Sequence, residues 1–334
     1  MFEKSRKVNI PIFVPHLGCP HQCSFCNQKT ITGSGDVVTA ETVREKITEA
    51  IRTIDREKTR VEVAFFGGSF TAIEAEQQET LLSAAHAFLE TKQIDGIRLS
   101  TRPDCINREI TARLMRYGVT AVELGVQSSD TEVLCQNRRG HTFADVQESV
   151  KLLREIGVEI GLQMMLGLLG STPEKDLQTA QDIAALCPDT TRIYPTVVLD
   201  GSPLCALYRN GTYVPPTLEV AVETAAAVYE IFEKSGVRVL RMGLMASDVL
   251  ESGVVAGPQH PAFGELVLSR LYLKKMQRVL AGKQGGEFTF YVHPKTISQA
   301  LGNKKENKIR IFREQGVNIH IKPNETVESG EILW

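Results

Sequence analysis

The stretch His16-Leu17-Gly18-Cys19-Pro20-His21-Gln22-Cys23-Ser24-Phe25-Cys26-Asn27 decides how the rest of this chain is read. It follows an apolar run, Val8 to Val14, that reads as a strand, and it carries cysteines with the spacing CxxxCxxC. Three of the seven cysteines thus fall within eight residues, which points to metal rather than to chance. A [4Fe-4S] cluster takes four ligands. Three thiolates on one loop hold such a cluster and leave one iron without a protein ligand. The alternative is a structural zinc with His16 or His21 as fourth ligand, although no second CxxC or CxxH pair follows downstream. The other cysteines, Cys105, Cys135, Cys187 and Cys205, are scattered and read as small buried hydrophobes.

Working outward, a period-switching pattern fills most of the 334 residues. Strands are expected at Val61–Phe66, Ile97–Thr101, Ala121–Val126, Val158–Leu166, Arg192–Leu199 and Val237–Met242. Helices are expected at Ala40–Arg56, Glu74–Thr91, Asn107–Tyr117, Phe143–Ile156, Pro173–Leu186 and Leu218–Ser235. Alternation of this kind predicts a parallel sheet with right-handed crossovers. The fold class is α/β, with a partial (β/α)6-type barrel over residues 1–245 and a doubly wound open sheet as the alternative. In a barrel, chemistry gathers where strands end at their C-termini.

Composition bounds the function. Hydrophobic residues make up 42%, charged residues 23%, and the formal net charge is −2. No global charge argues for nucleic acid or membrane, no apolar run is long enough to span a bilayer, and Met1 to Lys7 lacks the apolar core of a signal peptide. A cytoplasmic location with reduced cysteines is expected, and no membrane partner.

Further stretches carry a resemblance: Phe65-Phe66-Gly67-Gly68-Ser69, Ser100-Thr101-Arg102-Pro103-Asp104, Glu123-Leu124-Gly125-Val126-Gln127-Ser128, Arg139-Gly140-His141-Thr142 and Ile193-Tyr194-Pro195-Thr196. With the cysteine triplet, over about residues 8 to 245, the chain resembles radical S-adenosylmethionine (SAM) enzymes. It looks like the type shared by the Elongator catalytic subunit and oxygen-independent coproporphyrinogen oxidase, and is most similar to the radical SAM half of the former. The resemblance implies a [4Fe-4S] cluster on Cys19, Cys23 and Cys26. It implies S-adenosyl-L-methionine bound to the open iron and cleaved reductively to a 5′-deoxyadenosyl radical, and an electron donor such as a ferredoxin or flavodoxin. Gly67, Gly68 and Ser69 would meet the SAM amino group, Arg102 its carboxylate, Glu123 its ribose, and Gln127 the mouth of the site. The alternative for Arg102 and for Glu123 is a structural ion pair, with each other among the options. Arg138, Arg139 and His141 form a basic loop expected to face substrate, with a solvated loop as the alternative. Tyr194 is a substrate neighbour or a packing residue. The Pro-Gly pair usual after the fifth strand is missing here; Gly167 and Gly170 flank Leu168-Leu169 instead. The chain is read as too short for the acetyltransferase half of the Elongator subunit, so that subunit's carboxymethyl-uridine chemistry is not expected to carry over intact.

Residues 246–284 read as a helical connector, with a helix at Phe263–Leu280 and a glycine-rich linker at Gly282–Gly286. Residues 285–334 read as a small α+β unit: strand Glu287–Val292, helix Thr296–Leu301, loop Gly302-Asn303-Lys304-Lys305, helix Glu306–Gln315 and strand Val317–Lys322. This order resembles the core of a KH RNA-binding module, with Lys305 where the second loop glycine would stand. Between Lys295 and Lys322, seven Lys or Arg face two Glu, a patch suited to phosphates. Lys304 and Lys305 are therefore candidate substrate contacts. The expected function is radical SAM modification of RNA, tRNA foremost. The alternatives are a radical SAM enzyme acting on a porphyrin-like small molecule and a zinc-stabilised RNA-binding protein without catalysis.

Overall fold

The computed structural model describes residues 6–14, 19, 21–27, 38–244 and 252–334. Seven parallel strands form one sheet in strict chain order: β1 (Arg6–Val14), β2 (Thr59–Gly67), β3 (Gly96–Thr101), β4 (Val119–Gln127), β5 (Glu159–Leu166), β6 (Thr190–Pro195) and, past a two-residue strand β7 (Val198–Leu199), β8 (Arg238–Met242). A doubly wound sheet must reverse strand order at a switch point. This sheet never does, so it is the expected half-barrel and not the open-sheet alternative.

Alternation along the strands gives the sheet two different faces. One face is apolar and packs on helices: Val61, Val63 and Phe65 of β2 and Val122 and Leu124 of β4 are fully buried. The other face carries Glu62, Arg98, Glu123 and Arg192, which meet one another across the concave side. The covering helices are α1 (Ala40–Ile51), α2 (Ala75–Glu90), α3 (Arg108–Arg116), the short α4 (Thr131–Gln136), α5 (Phe143–Glu155) and α6 (Pro173–Ala185). They continue with α7 (Pro203–Arg209) and α8 (Leu218–Lys234). Side-chain caps start many of them; Thr39 and Thr142 form full capping boxes. α1 stops five residues before the expected Arg56.

The expected strand Arg192–Leu199 is split. Pro195 closes β6 because it has no N–H to continue the ladder. Val198 and Leu199 pair instead, antiparallel, with β9 (Val254–Ala256).

Helix α9 (Phe263–Val279) joins two cores. Its first half packs Phe263 and Val267 into the half-barrel core, and its second half packs Tyr272 and Met276 against the tail. The tail is strand β10 (Glu287–Val292), helix α10 (Ile297–Leu301), helix α11 (Glu306–Gln315) and strand β11 (Asn318–Pro323), with β10 and β11 paired in parallel. Its element order is the expected one. No helix among the described residues is long and apolar enough to cross a membrane.

Candidate active site

The cysteine loop is held down by its own non-cysteine residues. Ser24 donates its N–H to the Asn137 carbonyl at 3.1 Å and its hydroxyl to Asn137 Oδ1 at 2.6 Å. The Ser24 carbonyl accepts from Leu204 N at 2.7 Å, and Asn27 Nδ2 donates to the Asp200 carbonyl at 2.6 Å. Phe25, between the last two cysteines, packs into apolar clusters that hold Val133, Met165, Tyr194 and Cys205. The loop is therefore pinned to the C-terminal ends of β4, β5 and β6, where parallel-barrel sites form.

Around the thiols stand buried cationic donors. Arg139 Nη1 donates to Cys23 Sγ at 3.2 Å, and Arg139 Nη2 to the Gly125 carbonyl at 2.7 Å. Arg102 grips Asp104 with Nε and Nη2, both at 2.9 Å, and its Nη2 also donates to the Arg139 carbonyl. Ser69, buried at the end of β2, shares a hydrogen bond with Thr101 Oγ1 at 2.8 Å and accepts from Arg102 N at 3.1 Å. Burial pushes the Cys19 thiol up, and neighbouring Cys23 adds to that. A backbone hydrogen bond from Ser69 and the charges of Arg102 and Arg139 pull against it.

These residues fit a [4Fe-4S] cluster. The donor set is three thiols on one loop, with an N–H donor already on one sulfur. Arg102 Nη1 and Arg139 Nε are buried with no hydrogen-bond partner, and a buried unpaired cationic donor is costly unless an anionic group answers it. No three His, Cys, Asp or Glu side chains among the described residues are placed around one metal ion. A cubane, wider than an ion, spreads its ligand sulfurs farther apart. Of the two histidines the zinc alternative would use, His21 is exposed over Gly140, and His16 lies outside the described residues.

The other expected site residues divide. Gly67, with φ +112°, and Gly68, whose N–H donates to the Val14 carbonyl at 3.1 Å, make the turn that carries Ser69 to the cysteines. Gln127 ends β4 at φ +68°, a left-handed conformation at a bulge, and its Oε1 accepts from Gln163 Nε2 at 3.3 Å. Such strain in a non-glycine residue clusters at functional sites. Glu123 lies deeper, gripped by Arg98 Nη1 at 2.7 Å and Arg192 Nη2 at 2.9 Å. Glu123 is thus ion-paired with Arg98 and Arg192, and Arg102 with Asp104, not with each other. Tyr194 Oη accepts from Arg192 Nη1 at 3.3 Å, and Tyr194 packs against the same Val133, Met165 and Leu168 cluster as Phe25.

The basic loop reads differently in three dimensions. Arg138 is exposed, but Arg139 and His141 are buried and turn inward. His141 Nε2 lies 3.2 Å from the Val126 carbonyl. Burial, reinforced by Arg139 and Arg102, lowers its pKa to about 4. Lys304 and Lys305 sit on the tail beside a hollow of 500 Å³ lined by α9 and α10 residues, and no cysteine-loop residue lines it.

Two residues escaped the sequence reading. Asn137, fully buried, ties Ser24 to the carbonyls of Val133 and Leu169; its only signal is a polar residue ending a short helix. Cys105 stands near Cys19, its thiol hydrogen-bonded to Ser69 and pushed up by burial and by Asp104. Of the four scattered cysteines only Cys205 is buried; Cys135 and Cys187 are exposed and Cys105 is half-buried, so the buried-hydrophobe reading fails for those three.

Comparison with known proteins follows the same lines. The family model for the Radical SAM superfamily matches residues 13–183, and one for the Radical_SAM C-terminal domain matches 188–273. Curated relatives include the tRNA uridine(34) acetyltransferase of Methanocaldococcus infernus, 27% identical, covering 77% of this chain and 54% of that protein. Elongator complex protein 3 of Homo sapiens is 29% identical, covering 67% of this chain and 44% of its own length. The chain spans about half the length of the curated relatives it matches. Among solved structures, an N-terminally truncated archaeal Elp3 of Methanocaldococcus infernus superposes with TM-score 0.66 at 24% identity, covering 81% of this chain and 64% of that one. The coproporphyrinogen III oxidase of Escherichia coli superposes with TM-score 0.51 at 18% identity, covering 69% and 53%. These two likenesses are of fold.

Proposed function

The chain belongs to the radical SAM superfamily, and from that premise we propose that it cleaves S-adenosylmethionine at a [4Fe-4S] cluster and modifies an RNA, a tRNA foremost. Bound at the cysteine loop, the cluster and SAM would supply a 5′-deoxyadenosyl radical, able to take hydrogen from unactivated carbon. The chain's own part is to hold, orient and enclose. Cys19, Cys23 and Cys26 hold the cluster. Arg102, with a buried Nη1 lacking a partner, suits the SAM carboxylate. Gly67, Gly68 and Ser69 suit its amino group, and Gln127 the mouth of the site. Tyr194, on β6, packs against the same Val133, Met165 and Leu168 cluster as Phe25 and would stand as a neighbour of the substrate. A ferredoxin or flavodoxin would deliver the electron.

The single observation that carries the reading is a pinned loop of three thiols with the Arg139 guanidinium on Cys23. The RNA part rests on two supports: curated relatives named as tRNA uridine(34) acetyltransferases, and the tail. In the tail Lys304 and Lys305 stand at φ +50° and +64°. The second is where a KH loop would carry glycine, so the backbone takes a glycine's conformation while offering a cation to phosphate. On this reading residues 1–245 form the catalytic half-barrel, 246–284 the connector and 285–334 the RNA-binding unit.

The test is anaerobic incubation of reconstituted protein with SAM, dithionite and bulk tRNA. The proposal expects 5′-deoxyadenosine together with a nucleoside of altered mass. A protein that releases 5′-deoxyadenosine but neither binds nor alters tRNA would overturn the RNA part. Lys304→Glu and Lys305→Glu probe the tail better than its deletion, which would bare Tyr272 and Met276 of α9.

A further inference from the structure

Arg139 has no carboxylate partner among the described residues, although it is only 6% exposed. The nearby Arg102 differs: its guanidinium is matched by Asp104. Arg139 lies between two left-handed residues, Arg138 at φ +53° and Gly140 at φ +71°. That turn throws Arg138 outward and Arg139 inward. Its N–H donates to the Leu134 carbonyl at 3.0 Å and its carbonyl accepts from Arg102, so the backbone cannot swing away without breaking both. The side chain ends with one nitrogen on Cys23 Sγ and another on the Gly125 carbonyl. An alanine at Gly125 would place its Cβ 3.4 Å from Arg139 Nη2 and 2.8 Å from Gln127 Nε2. The strand thus keeps a glycine where the guanidinium comes close.

We propose that Arg139 is a positioning residue that raises the reduction potential of the cluster through Cys23, and does not contact the substrate. The inference rests on the radical SAM reading. Reduction adds one electron from an external reductant, taking the cluster from the 2+ to the 1+ level, with no bond made and no proton moved. The added negative charge spreads onto the ligand sulfurs. A cation donating to one of them stabilises the reduced level more than the oxidised one. Cluster potentials respond to such hydrogen bonds, to net charge and to solvent exposure. Arg139 supplies the first two directly, and its buried position excludes water from Cys23.

The experiment compares anaerobically reconstituted wild type, Arg139→Gln and Arg139→Lys. Iron and sulfide are assayed first, then the midpoint potential by dithionite titration followed by electron paramagnetic resonance, without SAM. At the wild-type midpoint, Arg139→Gln should lower the ratio of reduced to oxidised cluster at least tenfold, equivalent to a midpoint about 59 mV more negative for a one-electron couple. Arg139→Lys keeps a charge but loses the fixed fork and should fall between. Unchanged midpoints in iron-replete variants would overturn the proposal. So would an unchanged midpoint with weakened tRNA binding, which would return Arg139 to the substrate. Should Arg139→Gln take up no cluster, Arg139→Lys decides alone, by the same criterion. Wild-type protein that takes up no cluster would overturn the radical SAM reading itself, a result distinct from the others.

Discussion

Gly140 illustrates how single residues shape the site. Its φ of +71° lies in the left-handed region, and a Cβ there would stand 2.2 Å from the His21 ring. Gly140→Ala should cost about 1–2 kcal/mol for the backbone conformation and push His21 off the loop. Chemical denaturation checks the first effect. His141, next in sequence, gives a pH prediction. Its folded pKa is lowered to about 4, first by burial and then by Arg139, while the unfolded value is about 6.5. As pH falls below the unfolded value, the unfolded chain takes up the proton first. The stability contributed by neutral His141 is therefore complete above about pH 6.5, lost on acidification towards pH 4, and level below that. The loss is on the order of 3 kcal/mol. Asp176 acts in the opposite sense. Burial raises it to about 6, so its contribution is present at low pH and lost as pH rises through that value. The difference between wild type and His141→Gln isolates the histidine. In urea titrations from pH 4 to 7 the stability of wild type minus that of the variant should rise with pH, and a difference independent of pH would contradict the assignment.

At the scale of elements, the half-barrel was legible because periodicity and caps agreed. Pro173 and Gly157 bracket elements whose bounds came within a residue of expectation, and the tail strand Glu287–Val292 and helix Glu306–Gln315 match to the residue. The helices Thr131–Gln136 and Pro203–Arg209 were missed, being too short to show a period. Their start signals were present, Asp130 and Ser202 as caps and Pro203 at the first position. Within the site, the grouping of Cys19, Cys23 and Cys26 on one loop was visible in their spacing. The direction of Arg139 was not, because charge tells nothing of facing; the turn at Arg138 and Gly140 sets it. Asn137 was illegible because its partners lie far apart in sequence. The Gly302–Lys305 element offers a prediction that separates conformation from charge. Lys305→Gly removes the left-handed cost, so the tail should be as stable or more so, by up to about 1–2 kcal/mol. It also removes one cation, so tRNA affinity should fall and the slope of log affinity against log salt should drop by about one. Unchanged salt dependence would remove Lys305 from the interface.

Across the whole molecule, a buried ion network ties the strands beneath the site. Arg98, 1% exposed, donates to Glu62 at 2.6 Å, Glu123 at 2.7 Å and Glu159 at 2.9 Å, so one side chain links β2, β4 and β5 from β3. Burial pushes the Glu62 carboxyl up, but Arg98 and then Lys7 outweigh it and hold it below the usual range. Arg98→Met would leave buried carboxylates short of a partner and should destabilise the fold by about 3–5 kcal/mol, read as a shifted denaturation midpoint. The network lies at mid-strand and the thiols at the strand ends, so framework and chemistry are layered along one axis. The most direct measurement is the electron paramagnetic resonance spectrum of the dithionite-reduced protein before and after adding SAM, in wild type and in Cys19→Ala, Cys23→Ala and Cys26→Ala. The account predicts a wild-type cluster signal that changes on SAM addition and is lost in each variant. A variant that keeps the full signal, or a wild-type spectrum indifferent to SAM, would contradict it.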